Sequence, residues 1–468
     1  MLVTLTMTEN HHEMLMRHLF PDDGCEAVAI ALCGRAAGEG IHRLLVRRLE
    51  LVPYSSCSAR RPDCVTWPTD LLVPLLAEAA KHDWAFVKFH GHRHYDQFSI
   101  VDDESDRQLF PSIYSWTDSA APHASAIVMD DGRVFGRIVN EDGTFSDLSN
   151  VSVIGDDIRS YKKKRSSAHE TPLVPEFGRR VAQTFGGGTY QRLRELRIAV
   201  IGCSGTGSPV IEQLARNCVG FLVLVDPDHV EEKNLNRIVN TTMQDALRNA
   251  AKVHVAERAV NAMGLGTTVR VYAKTLFDQA VIREISLCDI IFGCMDTIDG
   301  RFLLNKLASF YMIPYFDLGV KIEADGMGGV DQVCGTVHYL KPGGSSLMSR
   351  SLFSLEQVRA AGLQRNDPEQ YKKLLSEGYI RGGNEDRPAV VQLNSLIASL
   401  AVSELLARVH PYRIDPNGDY AINRISLSHG IFDHEPDGSP CPILSRHVGR
   451  GDVEPPLDWP ELSGEKFT

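Results

Sequence analysis

The sequence predicts two α/β domains in tandem, the second built around a doubly wound, mostly parallel sheet. Three observations carry this expectation. From Arg197 to Leu318 short apolar runs alternate with helical periodicity, which is how a parallel sheet with crossover helices reads. A glycine-rich turn, Gly202-Cys203-Ser204-Gly205-Thr206-Gly207, joins the first of those runs to a helix. A charged stretch with two prolines, Asp156 to Phe177, separates this region from an earlier α/β unit.

At 468 residues the chain is too long for one ordinary core. The expected boundaries are 1–150 for a first domain, 151–176 for a linker, 177–340 for the second domain, 341–388 for an excursion from its sheet, and 389–468 for a returning helix, a terminal strand and a tail. In the first domain a strand at Leu2 to Met7 leads into a helix from Asn10 to Phe20. A buried strand follows at Glu26 to Cys33, another near Arg43 to Val52, and a helix at Leu71 to Lys81. The strand Ala85 to Phe89 runs into a His-rich turn, and strands Ser125 to Met129 and Val134 to Ile138 flank an Asp-Asp-Gly turn.

The second domain predicts strands at Arg197 to Ile201, Phe221 to Asp226, Val269 to Ala273, Asp289 to Gly293 and Tyr315 to Leu318. Ligands of such a sheet sit at the C-terminal ends of its strands. The apolar stretch Ala389 to Val409 reads as a returning core helix, and the last 35 residues show many prolines and little periodicity.

Composition narrows the function. Hydrophobic residues at 43% and charged residues at 23% fit a soluble globular protein. A net charge of −11 argues against a nucleic-acid partner, which needs clustered Lys and Arg. The dense basic run Lys162 to Arg165 reads as solvated linker. No apolar stretch reaches membrane-spanning length and no basic-then-apolar leader opens the chain, so a cytoplasmic protein is expected. The ten cysteines form no Cys-x-x-Cys pair, which suggests neither a disulfide framework nor a four-thiolate zinc knuckle.

Gly202, Gly205 and Gly207 would let backbone approach phosphate oxygens, with the N–H groups of the following helix as donors. Asp226 ends the next strand, placed to accept hydrogen bonds from ribose hydroxyls. This much serves many nucleotide enzymes. The residues beyond Asp226 are more discriminating: Asp228, Glu231, Asn234-Leu235-Asn236-Arg237, Lys252 opening a helix, Asp296 ending a strand, then Arg301 and Asn305. Arg and Lys around a triphosphate suit cleavage between the α and β phosphates, where charge builds on leaving pyrophosphate. An Asp opposite them can hold magnesium.

This set resembles the superfamily of ubiquitin-activating enzymes and the ThiF, MoeB and HesA proteins, over about 177–335 and again from Pro388 to His410. The resemblance implies a Rossmann-like adenylation domain with ATP and Mg2+ as cofactors. It implies that Asp226 binds ribose, Arg237 and Lys252 the phosphates, and Asp296 magnesium, with Asp228 and Asn234 beside the nucleotide. It also implies that Arg180, in Gly178-Arg179-Arg180, serves the ATP of a second subunit, hence a homodimer. The implied substrate is the C-terminal glycine of a ubiquitin-like or sulfur-carrier protein, with a conjugating enzyme as a further partner.

Many relatives carry a zinc knuckle of two Cys-x-x-Cys pairs. Here Ser345-Ser346-Leu347-Met348-Ser349 stands after Lys341-Pro342-Gly343, and near the C-terminus only Cys441 remains, so that zinc is expected to be absent. Thioester-forming relatives use a cysteine in the excursion. None lies between Cys334 and Cys441, which leaves those two as the alternatives, Cys334 in a strand and Cys441 in a mobile tail.

In the first domain His90-Gly91-His92 ends a strand, so both side chains project to one side. A carboxylate on a nearby helix could complete three ligands of a catalytic zinc with an open fourth position. The order Glu26, His90-x-His92, Ser99-x-x-Asp102 resembles the JAMM (JAB, Mov34/MPN-like) metalloproteases over 1 to about 140. By that resemblance His90, His92 and Asp102 would hold Zn2+, Glu26 would be the general base and Ser99 an oxyanion stabiliser. Arg93 departs from the proline usual after the second His, and the gap from His92 to Ser99 is a residue shorter.

The two resemblances together imply an adenylating activator of a ubiquitin-like protein in a bacterial-style modification pathway, with zinc-dependent processing or deconjugation by the first domain. The alternative is sulfur-carrier activation for cofactor or thiometabolite synthesis, with the first domain a non-catalytic docking module.

Overall fold

The computed structural model describes residues 1–93, 95–162, 174–325, 327, 329–376 and 390–462. The middle of the expected linker, the end of the expected excursion, His94, and Pro388 and Ala389 of the resemblance lie outside them. The described residues form two compact units. The first takes those among 1–168 with Phe310–Met312 and His447–Asp458; the second takes the rest.

In the first unit nine described strands make one mixed sheet. Its centre is the antiparallel hairpin Val28–Gly38 and Ile41–Leu51, flanked by Leu2–Thr8 on one side and Ala85–His92 on the other. The strand period of two places Ala29, Ala31 and Cys33 on one face, packed with Leu15 and Leu19 of the helix Glu9–Leu19. Val28, Ile30 and Leu32 face the other way, onto Leu75, Leu76 and Ala79 of the helix Val73–His82 and Phe110 and Ile113 of the helix Ile100–Thr117. Both faces are therefore covered, which explains why these strands read as unbroken apolar runs.

The structure corrects two expectations in this unit. Glu26 precedes the strand rather than opening it, and its N–H donates to Arg61 O of a small hairpin, Ala59–Arg61 and Cys64–Thr66. The start of the expected linker is also structured. Asn150–Ile154 pairs in parallel with Leu2–Thr8, and Ile158–Tyr161 pairs with Asn150–Ile154 as an edge strand. Its charge is accounted for by pairing, since Arg159 reaches Glu9 at 3.1 Å. Edge strands carry such charge without cost to a core.

The segment His447–Asp458, expected as featureless tail, straps this unit. Gly451 bridges Arg35 in parallel, Asp452 N–H donates to Arg35 O, and the Asp452 carboxylate accepts from Ala37 N–H at 3.0 Å. The approach is close enough that a β-carbon at Gly34 would strike the Gly449 and Arg450 carbonyls, and Gly451 takes a φ of +67°.

In the second unit eight described strands form a sheet. Five are parallel, in the spatial order Thr268–Tyr272, Phe221–Val225, Arg197–Ile201, Ile290–Gly293, Tyr315–Ala324. Three antiparallel strands extend it: Val330–Leu340, Ile422–Ser426 and Ile431–Glu435. The chain order reverses between Arg197–Ile201 and Ile290–Gly293, so a ligand crevice opens above their C-terminal ends. The helix Val391–Val409 buries Leu393, Ile397, Ala398, Ala401 and Leu405. The excursion contains helices Leu355–Asn366 and Pro368–Ser376.

Beside Ser345 to Ser349, where the resemblance implies a lost cysteine knuckle, this chain has a largely buried ion pair. Arg350 Nη2 reaches Asp437 Oδ1 at 2.9 Å, Arg350 Nε donates to Ser345 Oγ at 2.7 Å, and Ser345 Oγ donates to Asp437. Cys441 closes the turn through its N–H to Gly344 O at 2.9 Å and is fully buried, so it is not in a mobile tail. A guanidinium at the centre disfavours a metal dication there. Arg350→Met should cost about 1–3 kcal/mol, the range for leaving a largely buried polar group without its partner. Adding Asp437→Leu should recover most of it. Denaturant unfolding of the four proteins measures the cycle, and additive losses would contradict a coupled pair.

Candidate functional site

The glycine-rich turn is held from two sides. Gly202 N–H donates to Val225 O at 2.8 Å, and Cys294 N–H donates to Ile201 O at 2.8 Å, so three strand ends meet there. Gly202 has a φ of +92°, and a β-carbon on it would lie 2.6 Å from Cys294 O. A β-carbon on Gly207 would collide with Gly202 O. Only glycine allows this turn at both positions. The helix Gly207–Arg216 then starts at the sheet's crevice, with Ser208 N–H donating back to Ser204 O at 2.8 Å.

Asp226 is buried, with both carboxylate oxygens engaged: Oδ2 accepts Cys203 N–H at 2.7 Å and Oδ1 accepts Asp228 N–H at 2.9 Å. Burial raises its pKa, opposed by Lys252 and by those two N–H groups. Its first task is therefore to tie the glycine-rich turn to the next strand's loop. A ribose hydroxyl would have to use the lone pairs that remain.

Asp228 projects outward and pairs with the buried Lys252 at 2.8 Å. Asn234 is also buried. Its Oδ1 accepts Glu231 N–H at 3.0 Å, so it shapes the turn that carries Arg237. Arg237 Nη1 donates to Lys233 O at 2.8 Å, and Arg237 Cδ lies 3.5 Å from where a β-carbon of Gly205 would be. Asp296 is exposed just beyond the strand Ile290–Gly293, next to the turn. Gly202, Gly205, Gly207, Asp226, Asp228, Arg237, Lys252 and Asp296 thus gather at one end of the sheet. Arg301 is committed elsewhere, in a bidentate pair with the fully buried Asp317 at 2.9 and 2.5 Å. Arg180 is exposed on the first turn of the helix Arg179–Phe185, near Gln183.

The cysteines differ in access. Cys441 has no exposed surface, Cys203 is buried under the turn, and Cys334 is half-buried on the strand Val330–Leu340, where burial raises its pKa. None is placed as an activated thiolate.

In the first unit His90 and His92 lie on the strand Ala85–His92, and Asp102 lies at the third position of the helix Ile100–Thr117. One ligand atom from each falls within 4.8 Å of the others, the one such group of potential metal ligands among the described residues. His90 Nε2 is 3.1 Å from Asp102 Oδ1, and His92 Nε2 is 3.6 Å from Asp102 Oδ2. Both ring nitrogens of His90 are buried and make no well-directed hydrogen bond, an arrangement that a metal would relieve. His92 Nδ1 faces Tyr95 O at 2.8 Å, which as an N–H donor leaves Nε2 free as a ligand. The donor set of two imidazoles and one carboxylate fits Zn2+.

Ser99 caps the helix. Its hydroxyl donates to Asp102 Oδ2 at 2.8 Å and accepts Asp102 N–H at 3.1 Å. The hydroxyl is thus committed to orienting Asp102. Burial works against ionisation of Asp102, but the adjacent His90 ring and the Ser99 donors outweigh it and hold the carboxyl well below its ordinary range. Glu26 behaves oppositely. Burial first, then the Asp102 and Asp63 carboxylates, push it up to about 7 despite Lys88. Sequence reasoning missed the charges beneath: Lys88 pairs with the fully buried Asp106, which also takes Arg137 at 2.6 Å. The polar Lys88 within an apolar strand was the available signal.

A model of the ThiF family matches residues 177–431. Ubiquitin-like modifier-activating enzyme 5 of Aedes aegypti is 29% identical over 166 residues, 33% of this chain and 39% of that protein. The enzyme of the same name from Caenorhabditis elegans is 30% identical over 165 residues, 33% of this chain and 37% of that protein. The chain therefore spans under two fifths of the length of these relatives. Among solved structures, E. coli MccB with MccA-N7isoASN shares 17% identity at a TM-score of 0.45, over 58% of this chain and 75% of that one. With more than half of its length matched by the family model, the chain belongs to the ThiF family.

Proposed function

We propose that the chain adenylates the C-terminal carboxylate of a ubiquitin-like protein with ATP, and that its first unit is a zinc peptidase acting on the same kind of substrate. The observation that carries the first half is the meeting of the strained glycine turn with Arg237, Lys252 and Asp296 at the sheet's switch point. A carboxylate oxygen of the substrate's terminal glycine attacks the α-phosphorus. The bond from that phosphorus to the bridging oxygen breaks, and pyrophosphate leaves with the electron pair. Lys252, drawn from Asp228, and Arg237 neutralise the charge that builds on the phosphates. Asp296 would hold Mg2+, which supplies further charge neutralisation. Arg180 of a second copy would complete the site of the first, making the working form a homodimer.

In the first unit His90, His92 and Asp102 would hold Zn2+, which lowers the pKa of water and polarises a carbonyl. Glu26, close to neutral pKa, takes the proton. Ser99 keeps Asp102 oriented. No described helix is long and apolar enough to cross a membrane.

The burial of Cys441 and of much of Cys334 favours one variant of this reading. The adenylate would pass directly to a sulfur donor, giving a thiocarboxylate on a sulfur-carrier protein, with no thioester on the enzyme and the first unit a docking module.

Three measurements test the proposal. ATP–pyrophosphate exchange supported by a Gly-Gly-ended partner should fall about 100-fold or more in Asp296→Ala, the usual loss when transition-state charge stabilisation is removed. Unchanged exchange would remove Asp296 from the mechanism. Elemental mass spectrometry should find stoichiometric zinc in the wild type and little in His92→Ala. Glu26→Gln should keep the zinc and lose peptidase activity by about 100-fold. Zinc absent from wild type and variant alike would leave a metal-free domain.

A further inference from the structure

The glycine-rich turn has one more neighbour at the nucleotide site. The helix Val391–Val409 passes over it, and Asn394, in that helix's first turn, is 1% exposed. Its Nδ2 is buried and makes no hydrogen bond among the described residues. A β-carbon placed on Gly205 would collide with that same nitrogen, and the next atom it would meet outside Asn394 is Arg237 Cδ at 3.5 Å. Asn394 Nδ2 therefore packs against the Gly205 backbone, with Arg237 beside both.

A buried amide donor without an acceptor is costly, because its hydration is lost and nothing replaces it. An apolar side chain would fit the surroundings, since Leu393, Ile397 and Ala398 of the same helix are buried. The amide is thus a feature that folding alone does not call for. Its placement matches the needs of an anion: a rigid donor, adding a bond without adding charge, against the glycine-rich turn at Gly205.

We propose that Asn394 donates its side-chain N–H to a phosphate oxygen of the bound nucleotide, so that the returning helix forms part of the phosphate site. The inference rests on the adenylation reading of this site and adds a residue to it. A phosphate oxygen also fixes which way the amide turns, because the carbonyl end would be repelled. The close approach also explains the absence of a side chain at Gly205: a β-carbon there would strike the amide. The phosphate contact couples nucleotide binding to the seating of the helix.

The test uses the full chain and a magnesium complex of α,β-methylene ATP, which binds but cannot be cleaved between the α and β phosphorus atoms. Asn394→Leu removes the donor at similar volume, and Asn394→Asp turns it into an anion at similar shape. Calorimetric titration should show binding weakened about tenfold in Asn394→Leu and about 100-fold in Asn394→Asp, the range for hydrogen bonds to charged groups and for their reversal. Thermal unfolding without nucleotide should find Asn394→Leu no less stable than wild type, because an unpaired buried amide has been removed. Wild-type affinity in both variants would overturn the role of Asn394 while leaving the nucleotide site intact. A fall in nucleotide-free stability of Asn394→Leu would assign Asn394 to folding instead. A wild-type chain that fails to bind the nucleotide would overturn the adenylation reading together with this one.

Discussion

Asp226 accepts two backbone N–H groups, Cys203 at 2.7 Å and Asp228 at 2.9 Å, and the proposed nucleotide site is arranged around that pair of hydrogen bonds. One oxygen fixes the glycine-rich turn, the other fixes the loop from which Asp228 holds Lys252. The turn can be this tight only because Gly202 and Gly207 lack β-carbons that would strike Cys294 O and Gly202 O. A carboxylate buried in this way would be a burden in an apolar core. Here it is held by donors from two loops at the ends of adjacent strands, which offset part of the cost of its burial and hold the turn rigid.

The first unit uses a carboxylate in the same manner. Asp102 is fixed by its own helix cap, accepting the Ser99 hydroxyl and N–H, and is thereby aimed at His90 and His92. In both units a backbone-anchored acid sets the geometry and a neighbouring group keeps a less constrained role: Lys252 in one, Glu26 in the other. The raised pKa of Glu26 and the lowered one of Asp102 separate two nearby carboxyls into one that can accept a proton and one that stays ionised.

Much of this was legible in the sequence. Gly202 to Gly207 between an apolar run and a helix specified the turn, and His90-Gly91-His92 ending a strand specified two side chains on one face. Local pattern could not show what each polar group bonds to. Asp226 and Asn234 read as ligand contacts, yet Asp226 Oδ2 takes Cys203 N–H from the neighbouring turn, and Asp226 Oδ1 and Asn234 Oδ1 take Asp228 and Glu231 N–H from their own turns. Asn394 reads as a helix residue and becomes notable only once Gly205 lies beneath it. The strap His447–Asp458 has no periodicity to detect, because its bonds to Arg35 and Ala37 depend on glycines and a single aspartate. Arg350 and Asp437 are likewise 87 residues apart, so their pairing needs the fold.

The central claim is that the turn at Gly202 to Gly207 cradles the phosphates of ATP. Diffraction from crystals of the full chain grown with magnesium and α,β-methylene ATP tests it most directly. Phosphate oxygens should then lie against Gly205 and the start of the helix Gly207–Arg216, with Arg237 beside them and Lys252 moved from Asp228 to the nucleotide. Nucleotide bound elsewhere, with the Lys252–Asp228 pair intact and the turn facing solvent, would contradict it.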